Sequence, residues 1–461
     1  MASAAPATRD EAWLLRAIDR YHELCADPTL AGPDVVASFA AAQIRLGLTF
    51  GGIVQCRSLR PAFITSRSLE ALRSAVDTFW NVIRVIERNA LADASLAVQL
   101  GLTEQERNLI AIDPGYDDAT VVSRLDTFFA ERPIVIEYNA DSPAGMSYQA
   151  GQAALMRRLP VFAQFATEYR LEELRADVAL RETLIDVWRE FSARKSIAPR
   201  TPCVAIVDVK AAETGAEFGL VAEDFKTHGI PAVVATPEDL HLVDGELHAF
   251  GRRVDLVYKR LLVADFLAHY DLRHPLVRAY AAGTVCVASS FRCTIAQKKQ
   301  ALAVLFDDRR ATLFSNEQRH AIEELVAPTW PAHAFARERL ETERFDFVLK
   351  PNDAHGGENV FLGWECDAAQ WRDALDTAIS GDYVVQRRVL PSMAAYPVFD
   401  AAAPQAGAKL TAMLEDRNAY VFRGVLRGIL TRLSDSAIIN VSRGGQAIPT
   451  FVISPANNAR E

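Results

Sequence analysis

The feature that most constrains the fold is an alternation of short apolar runs with helical sequence between residues 200 and 290. The runs are TPCVAIVDV, IPAVVAT, VDLVYKRLL and GTVCVAS, and the segment between the first two is GLVAEDFKTHG. Strands that are apolar on both faces and separated by helices are typical of parallel sheets with covered faces. We therefore predict an α/β unit with a mostly parallel sheet at 200–290. The Gly-x-Gly-x-x-Gly fingerprint does not follow the first run, which argues against a dinucleotide-binding fold.

The regions on either side of this unit differ in character. The first part of the chain has apolar residues at helical spacing, whereas the last part starts with a helix and continues as strands joined by glycine turns. The predicted fold class is α/β, in its α+β form. The predicted regions are an N-terminal helical region at 1–120, a hairpin with helices at 121–199, the α/β unit at 200–290, and a strand-rich region at 291–461.

Composition and charge exclude several classes of protein. Of the 461 residues, 50% are hydrophobic and 24% are charged, which is typical of a soluble globular chain. The 59 acidic and 50 basic residues give a net charge of −9, so nucleic acid and anionic membranes are not expected as partners. No run approaches the ~18 apolar residues of a membrane span, and no secretory signal is recognisable. We expect a cytoplasmic protein.

The sequence SRLDTFFAERPIVIEYNADSPAG gathers charged side chains on two adjacent strands. If their loop is the residue pair at 131–132, Asp126 faces Glu137. Arg124 then faces Asn139, and alternation along the strands places these four side chains on one face. Carboxylates opposed at ~5 Å destabilise a strand pair, and a divalent cation such as Mg²⁺ relieves that repulsion. The pattern therefore predicts a cation site, and a hairpin whose charges face water is the alternative.

A lysine precedes a glycine loop in the sequence FVLKPNDAHGGENVFLG. Lys350 closes an apolar strand, and Gly356 and Gly357 allow the backbone to approach another group closely. Free N–H groups beside a lysine are suited to hold phosphates. The Walker pattern Gly-x-x-x-x-Gly-Lys-Ser/Thr is missing. We interpret the segment as a phosphate-binding loop, with an ordinary turn as the alternative.

Together these segments resemble the ATP-grasp superfamily. Arg-x-Asp followed by Glu-x-Asn-x-x-Pro resembles its metal-binding strands, and the strand-end lysine with its glycine loop is similar to its nucleotide lysine and phosphate flap. Arg432, Asn440 and the following Gly-Gly pair are similar to its Arg…Asn…Gly-Gly segment. In ordinary ATP-grasp chains the metal-binding strands come last, whereas here they precede the lysine loop. This order resembles the circularly permuted branch, and the glutathionylspermidine synthase-like proteins in particular, without their amidase domain.

The resemblance implies a circularly permuted ATP-grasp fold, with a preATP-grasp, Rossmann-like α/β layer and an N-terminal helical region. It implies ATP and Mg²⁺ as cofactors. It assigns metal binding to Asp126, Glu137 and Asn139. It assigns nucleotide binding to Lys299, Lys350, His355, Gly356, Gly357, Gln386, Asn440, Gly444 and Gly445. It assigns catalysis to Arg432 and Arg124.

Two of these assignments have alternatives. Lys298 competes with Lys299 as the first nucleotide lysine because the two are adjacent. Arg124 either orients a substrate carboxylate or supports Asp126, and we favour support.

The activity that the resemblance implies is an ATP- and Mg²⁺-dependent ligase that joins a carboxylate to an amine. Such an enzyme forms the amide bond through an acyl phosphate and releases ADP and phosphate. The alternatives are an ATP-grasp phosphotransferase acting on a small molecule and a non-catalytic nucleotide-binding subunit. The expected partners are a small carboxylate and a small amine, and no motif specifies either compound or the oligomeric state.

Overall fold

The computed structural model describes residues 9–129, 131–210, 212, 214–354 and 356–456, and it shows a mixed α/β molecule. The helices are α1 (Arg9–Cys25), α2 (Pro28–Ala31), α3 (Pro33–Arg45), α4 (Ser66–Ala92), α5 (Ala94–Gln99), α6 (Glu104–Ala111), α7 (Met146–Met156), α8 (Pro160–Phe165), α9 (Ala176–Arg194), α10 (Gly215–Thr227), α11 (Val263–His269), α12 (Pro275–Ala282), α13 (Thr294–Gln297), α14 (Gln300–Val304), α15 (Asn316–Leu325), α16 (Arg337–Thr342) and α17 (Ala368–Ser380). None of the helices in these ranges is both long and apolar enough to cross a bilayer.

The strands form five sheets within the described residues. The strands are β1 (Thr49–Phe50), β2 (Ile53–Val54), β3 (Ala62–Ile64), β4 (Val122–Phe129), β5 (Pro133–Asn139), β6 (Tyr169–Glu173), β7 (Val204–Val207), β8 (Ala232–Ala235), β9 (Leu240–Val243), β10 (Glu246–Ala249), β11 (Arg252–Arg253), β12 (Leu256–Lys259), β13 (Cys286–Ala288), β14 (Thr329–Pro331), β15 (Phe347–Pro351), β16 (Phe361–Leu362), β17 (Tyr383–Arg387), β18 (Ser392–Phe399), β19 (Ala408–Phe422), β20 (Val425–Ser434) and β21 (Gln446–Pro455).

The largest of these sheets joins strands from early and late parts of the chain. It has eight strands in the order β3-β21-β20-β19-β4-β5, and β18 pairs with β19 and β6 with β21. Its neighbours are antiparallel except for β3 and β21, which run parallel. The predicted hairpin of β4 and β5 therefore lies beside β19, a strand far later in the chain.

The prediction of a parallel sheet in the α/β unit is confirmed. Four strands pair in the order β13-β12-β7-β8, every pair is parallel, and α10 connects β7 to β8. The prediction missed the small antiparallel sheet of β9, β10 and β11. A signal for it was present, because Asp244 and Gly245 both adopt positive φ between β9 and β10, and Asp-Gly favours that type of hairpin turn.

A second four-stranded sheet carries the predicted lysine loop. Its order is β14-β17-β15-β16 and its pairs are antiparallel. Val348 on β15 faces Gln386 on β17, and side chains two residues apart share a face. Lys350 and Gln386 therefore point to the same side of this sheet, while α17 packs on the sheet through Trp371 and Leu375.

Helix α4 covers the eight-stranded sheet. Thr65 caps its N-terminus by accepting a hydrogen bond from the backbone N–H of Ser68. Its buried side chains recur at helical spacing and include Leu72, Val76, Phe79, Ile83 and Ile86. Each such side chain contributes roughly 1.5–3 kcal/mol when it leaves water. This packing fixes the hairpin strand β5 against the rest of the sheet.

The helix predicted at the start of the region 291–461 covers TIAQKKQALAVLFD. The prediction of a single helix there is wrong, because the helix is interrupted after α13. Helix α14 begins three residues later at Gln300, and Lys298 and Lys299 lie in the break. Asn352 explains the break: its carbonyl accepts from the backbone N–H of Lys299 at 3.3 Å and its side chain from that of Gln300 at 2.9 Å. These N–H groups bond outside the helix, so the helix does not continue.

Candidate active site

Side chains from two sheets and from the break between two helices line one cavity of about 330 Å³. Lys350 and Gln386 come from the four-stranded antiparallel sheet, Glu137 and Arg432 come from the eight-stranded sheet, and Lys299 comes from the break between α13 and α14. The other walls are mainly apolar and include Phe128, Ile136, Val348, Leu362, Leu414 and Ile438. A cavity with apolar walls and a few convergent polar groups is typical of a small-molecule site. We call it the first cavity.

The predicted register of the hairpin is confirmed at its charged residues and wrong at its turn. Asp126 faces Glu137 as expected, but Thr127 faces Val135, so Ile136 is an extra residue on β5. The loop has three residues where two were expected. The β-bulge at Ile136 compensates for the extra loop residue, so Asp126 and Glu137 still face each other. The bulge also leaves the carbonyl of Ile136 free to accept a hydrogen bond from Lys350 Nζ at 3.1 Å.

Asp126 is completely buried and lies between two arginines. Arg124 donates to both of its carboxylate oxygens, at 2.6 and 2.9 Å, and Arg432 Nη2 donates to Oδ2 at 2.8 Å. Burial opposes the ionisation of Asp126, but Arg124 and Arg432 outweigh it, so the pKa of this carboxyl is below its ordinary value. These contacts are those expected if Arg124 supports Asp126, the interpretation favoured from the sequence.

Asp416 belongs to the same cluster and was missed by the sequence reasoning. It faces Arg432 across β19 and β20, and it accepts from the backbone N–H of Arg432 at 3.0 Å and from Nε at 2.9 Å. Burial raises the pKa of Asp416. Its carboxylate lines the first cavity. The signal for Asp416 is its position opposite Arg432 on the neighbouring strand. That signal can be used only when the pairing of β19 with β20 is known.

Glu137 meets the two lysines at the edge of the first cavity. Lys299 Nζ lies 3.1 Å from Glu137 Oε1, and 28% of the Glu137 side chain is exposed, so its carboxylate reaches the cavity. Burial opposes the ionisation of Glu137, but the charges of Lys299 and Lys350 outweigh it and lower the pKa of the carboxyl. Lys350 Nζ donates to Gln386 Oε1 at 2.7 Å, and burial lowers the pKa of Lys350 to about 8.

The structure separates the two adjacent lysines. The Lys298 side chain is fully buried and forms ion pairs with Glu106 at 2.7 Å and Asp353 at 2.6 Å. The Lys299 side chain lines the first cavity and donates to the carbonyl of Ala354 at 2.6 Å. These positions favour Lys299 over Lys298 as the lysine that faces a ligand.

The first predicted glycine loop lies at the cavity wall. Gly356 and Gly357 adopt positive φ of 67° and 77°, as a turn that favours glycine requires. Gly357 lines the first cavity, and the carbonyl of Gly356 accepts a hydrogen bond from Ser442 Oγ at 3.0 Å. His355, predicted to bind the nucleotide, lies outside the described residues.

The second predicted glycine pair lines neither of the two cavities described for this part of the chain. Gly444 adopts a φ of 88°, and the N–H of Gly445 donates to the carbonyl of Asn440 at 2.9 Å. A Cβ at Gly445 would lie 2.6 Å from that carbonyl oxygen. The contacts of Gly444 and Gly445 are thus those of a tight turn that positions Asn440.

A second cavity of about 420 Å³ adjoins the first. Arg432 and Asn440 line both cavities, whereas Arg124 and Asn139 line only the second. A chemical group that is transferred between ligands bound in the two cavities would therefore move past the Arg432 side chain.

Two of the three predicted metal-binding residues, Glu137 and Asn139, fit a magnesium ion that is shared with a phosphate ligand. Glu137 offers a carboxylate to the first cavity, and Asn139, two residues further on the same face of β5, lines the second cavity. The Asn139 side chain has no hydrogen-bond partner among the described residues, so its amide oxygen is free to bind a cation. Asp126 instead uses both oxygens on arginines. Within the described ranges, His, Cys, Asp and Glu form no group of three suited to a metal ion. Because Mg²⁺ often takes one or two carboxylates together with substrate phosphates, Glu137 and Asn139 suffice when a nucleotide supplies the other oxygens.

No protein-family model and no curated protein matches this chain. Among solved structures, the chain is similar to a glutathione synthetase-like effector from Globodera pallida in its apo form, with a TM-score of 0.61, 12% identity, and coverage of 92% of this chain and 98% of that one. A D-cycloserine synthetase matches at a TM-score of 0.29 and 17% identity, over 49% of this chain and 89% of that one, which is too distant to inform the fold. At 12% identity the likeness to the effector is one of fold: the chain folds like a glutathione synthetase-like protein over nearly its whole length.

Proposed function

We propose that the protein is an ATP- and Mg²⁺-dependent ligase of the circularly permuted ATP-grasp type, which joins a carboxylate to an amine. One observation carries this proposal. Lys299, Lys350 and Glu137, from three segments far apart in the chain, converge on the first cavity, and that cavity meets a second one at Arg432. A ligase of this kind needs a site for triphosphate and metal beside a site for the acid and the amine.

The connectivity of the strands supports the permuted arrangement. The hairpin of β4 and β5 precedes the lysine strand β15 in the chain, yet it pairs with β19, which follows that strand. The acids and the lysines thus approach one cavity in the chain order expected for the permuted branch. The fold likeness to a glutathione synthetase-like effector agrees with this proposal.

In the proposed reaction, different side chains neutralise the phosphates, hold the metal and stabilise the transferred phosphoryl group. Lys299 and Lys350 neutralise phosphate charge, which is the main requirement of phosphoryl transfer. Bound Mg²⁺, held by Glu137 and Asn139, would supply further neutralisation of the phosphates. Arg432 lies where the two cavities meet, so its guanidinium stabilises charge on the phosphoryl group as it moves to the carboxylate.

The two steps of the proposed reaction balance as follows. The carboxylate oxygen attacks the γ-phosphorus of ATP, the bond to the bridging oxygen breaks, and ADP leaves. The unprotonated amine then attacks the carbonyl carbon of the acyl phosphate. The C–N bond forms, the C–O bond to phosphate breaks, and the nitrogen releases one proton. The apolar walls of the first cavity exclude water that would otherwise hydrolyse the acyl phosphate.

The experiment that tests the function starts from nucleotide binding. Calorimetry measures MgATP binding to the wild type and to Lys350→Ala, and mixtures of small carboxylates and amines are then screened for ADP release with mass spectrometry of the products. We expect MgATP binding, its loss in the variant, and ADP accompanied by a condensed product.

Three results would change the conclusion. ADP with a stable phosphorylated compound would replace the ligase by a phosphotransferase. MgATP binding without consumption of ATP across the screen would favour a non-catalytic nucleotide-binding subunit. Equal MgATP binding by the wild type and Lys350→Ala would remove the assignment of the first cavity.

A further inference from the structure

The second cavity lies at the carboxyl ends of two neighbouring parallel strands. Asp208 directly follows β7 and Arg260 directly follows β12, and the backbone N–H of Arg260 donates to the carbonyl of Val207 at 2.8 Å. Asp265 lies in the first turn of α11, which follows β12. All three side-chain positions line the cavity. Ligands of open α/β sheets bind at this edge.

The basic residues of this cavity already have partners. Arg260 donates to the carbonyl of Pro143 at 2.7 Å and to the Tyr258 hydroxyl at 3.1 Å, and its Nη2 lies 3.9 Å from a carboxylate oxygen of Glu217. Arg124 is held by Asp126, as described above. Arg432, the third arginine of this cavity, pairs with Asp126 and Asp416. All three guanidinium groups are therefore compensated by the protein itself.

The acidic residues of the cavity are not all compensated. Asp141 pairs with the buried Lys259 and accepts from the backbone N–H of Val263 at 2.8 Å. Asp208 accepts from the backbone N–H of Val209 at 2.7 Å, but within the described ranges neither Asp208 nor Asp265 has a cationic side chain within 4.0 Å. Burial raises the pKa of Asp208, and Arg260 and Lys259 offset only part of that effect. The cavity thus retains two unpaired carboxylates.

An amide without a partner on another wall is an independent sign of a ligand. Gln55 follows β2, it is 4% exposed, and it lines the second cavity. Its side chain makes no hydrogen bond with any residue that the structure describes. The amide of Gln55 therefore offers the cavity both a donor and an acceptor, which suits a ligand that itself accepts and donates hydrogen bonds.

We propose that the second cavity binds the amine substrate, and that Asp208 and Asp265 select an amine with a net positive charge over a zwitterionic amino acid. This inference rests on the proposed function. A free amino acid brings a carboxylate that finds no unpaired cation in this cavity and is repelled by the two acids. An amino acid amide, or another small cationic amine with a polar group, places its ammonium beside the acids and its polar group beside Gln55.

Glycinamide and glycine are a matched pair of probes, because they differ only in the replacement of an amide by a carboxylate. Ligand-observed NMR titrations measure the affinity of each for the full-length protein. We expect the wild type to bind glycinamide at least about tenfold more tightly than glycine. Asp208→Asn with Asp265→Asn should remove that preference, and Gln55→Leu should weaken glycinamide alone. Asp373→Asn, the same change on the exposed face of α17, is the matched control and should bind as the wild type does.

Equal affinity for the two probes, no glycinamide binding at millimolar concentration, or an unchanged preference in the double variant would each overturn the proposal. If the double variant does not fold, the two single variants replace it, and each should lose several-fold in glycinamide affinity. Calorimetry of MgATP with the same proteins distinguishes failure of the proposed function from failure of this inference. If the wild type does not bind MgATP, the proposed function is refuted. If it binds MgATP but shows no preference between glycinamide and glycine, only this inference is refuted.

Discussion

Lys350 is the residue whose protonation responds most directly to a ligand in the first cavity. Burial lowers its pKa to about 8 from the ordinary 10.5, so an increasing fraction of Lys350 is neutral above pH 8. Phosphate charges favour the protonated lysine. We predict that nucleotide binding takes up roughly three quarters of a proton at pH 8.5 and about 0.1 at pH 7. Affinity therefore falls as the pH rises through 8, because binding must restore the proton.

Calorimetry in buffers of different ionisation enthalpy measures this uptake. Lys350→Arg is the matched control, because its guanidinium stays protonated: it should keep nucleotide affinity and lose the uptake. Lys350→Ala should lose affinity roughly tenfold to hundredfold. The same proton uptake in Lys350→Arg would contradict the assignment to Lys350.

Glu137 sets how nucleotide binding depends on magnesium. Its carboxylate faces the first cavity, and it also compensates Lys299. We predict that Glu137→Gln weakens MgATP binding but leaves binding of ATP without metal equal or stronger, because a negative charge beside the phosphates is removed. Titrations with and without Mg²⁺ measure the two affinities. Glu323→Gln on the exposed face of α15 is the control, and retention of the full Mg²⁺ effect in Glu137→Gln would contradict the prediction.

At the scale of secondary-structure elements, the break between α13 and α14 gives Lys298 and Lys299 different roles. Lys298 forms buried ion pairs, whereas Lys299 faces the first cavity. Lys298→Met leaves Glu106 buried without its cation, and removal of one partner of a buried ion pair costs about 3–5 kcal/mol of unfolding free energy. Lys299→Met should change stability much less and reduce nucleotide affinity. Denaturant unfolding and calorimetry measure the two effects.

The double variant Lys298→Met with Glu106→Gln is the test of that explanation. The Glu106 side chain accepts from the backbone N–H of Thr103 at 2.8 Å in the cap of α6, and the amide oxygen introduced by Glu106→Gln can still accept that bond. The double variant should recover most of the lost stability, because no unpaired charge remains buried. Equal destabilisation by Lys298→Met and Lys299→Met would contradict the division of tasks.

The same break shows what the sequence could and could not predict. The hairpin β4–β5 and the parallel strands were predictable because local apolar patterns specify them. The facing of Asp126 and Glu137 was predicted from a two-residue loop, and it holds because the bulge at Ile136 compensates for the third loop residue. The break in the helix depends on Asn352, more than fifty residues later in the chain, whose groups replace helical partners. Asp416 depends on the pairing of β19 with β20. Both depend on long-range contacts, which periodicity does not encode.

At the scale of the whole molecule, strands from early and late parts of the chain meet in one sheet. β3 pairs with β21 in parallel, and the hairpin of β4 and β5 joins the same sheet through β19. The first cavity lies between that sheet and the separate sheet of β14 to β17. A ligand there contacts both sheets and the Lys299 segment at once. Binding should therefore stabilise the whole chain, and a purely local effect is not expected.

This geometry leads to a prediction about thermal unfolding. A ligand that binds only the folded state at 100 times its dissociation constant adds about 2.7 kcal/mol, which for a large domain corresponds to a rise in Tm of several degrees. We predict that MgATP raises the temperature of the whole calorimetric unfolding transition of the wild type. The eight-stranded sheet should unfold at the same raised temperature as the sheet of β14 to β17.

Variants separate this effect from nonspecific stabilisation by a polyanion. Lys350→Ala should show no shift at the same MgATP concentration, whereas the variant with both Asp208→Asn and Asp265→Asn should shift as the wild type does, because its changes lie in the second cavity. A shift confined to one of two resolved transitions would mean that the sheets unfold independently and that the ligand contacts only one of them. The shared cavity between the sheets requires a common shift, since the lysine of one sheet and the glutamate of the other face the same space.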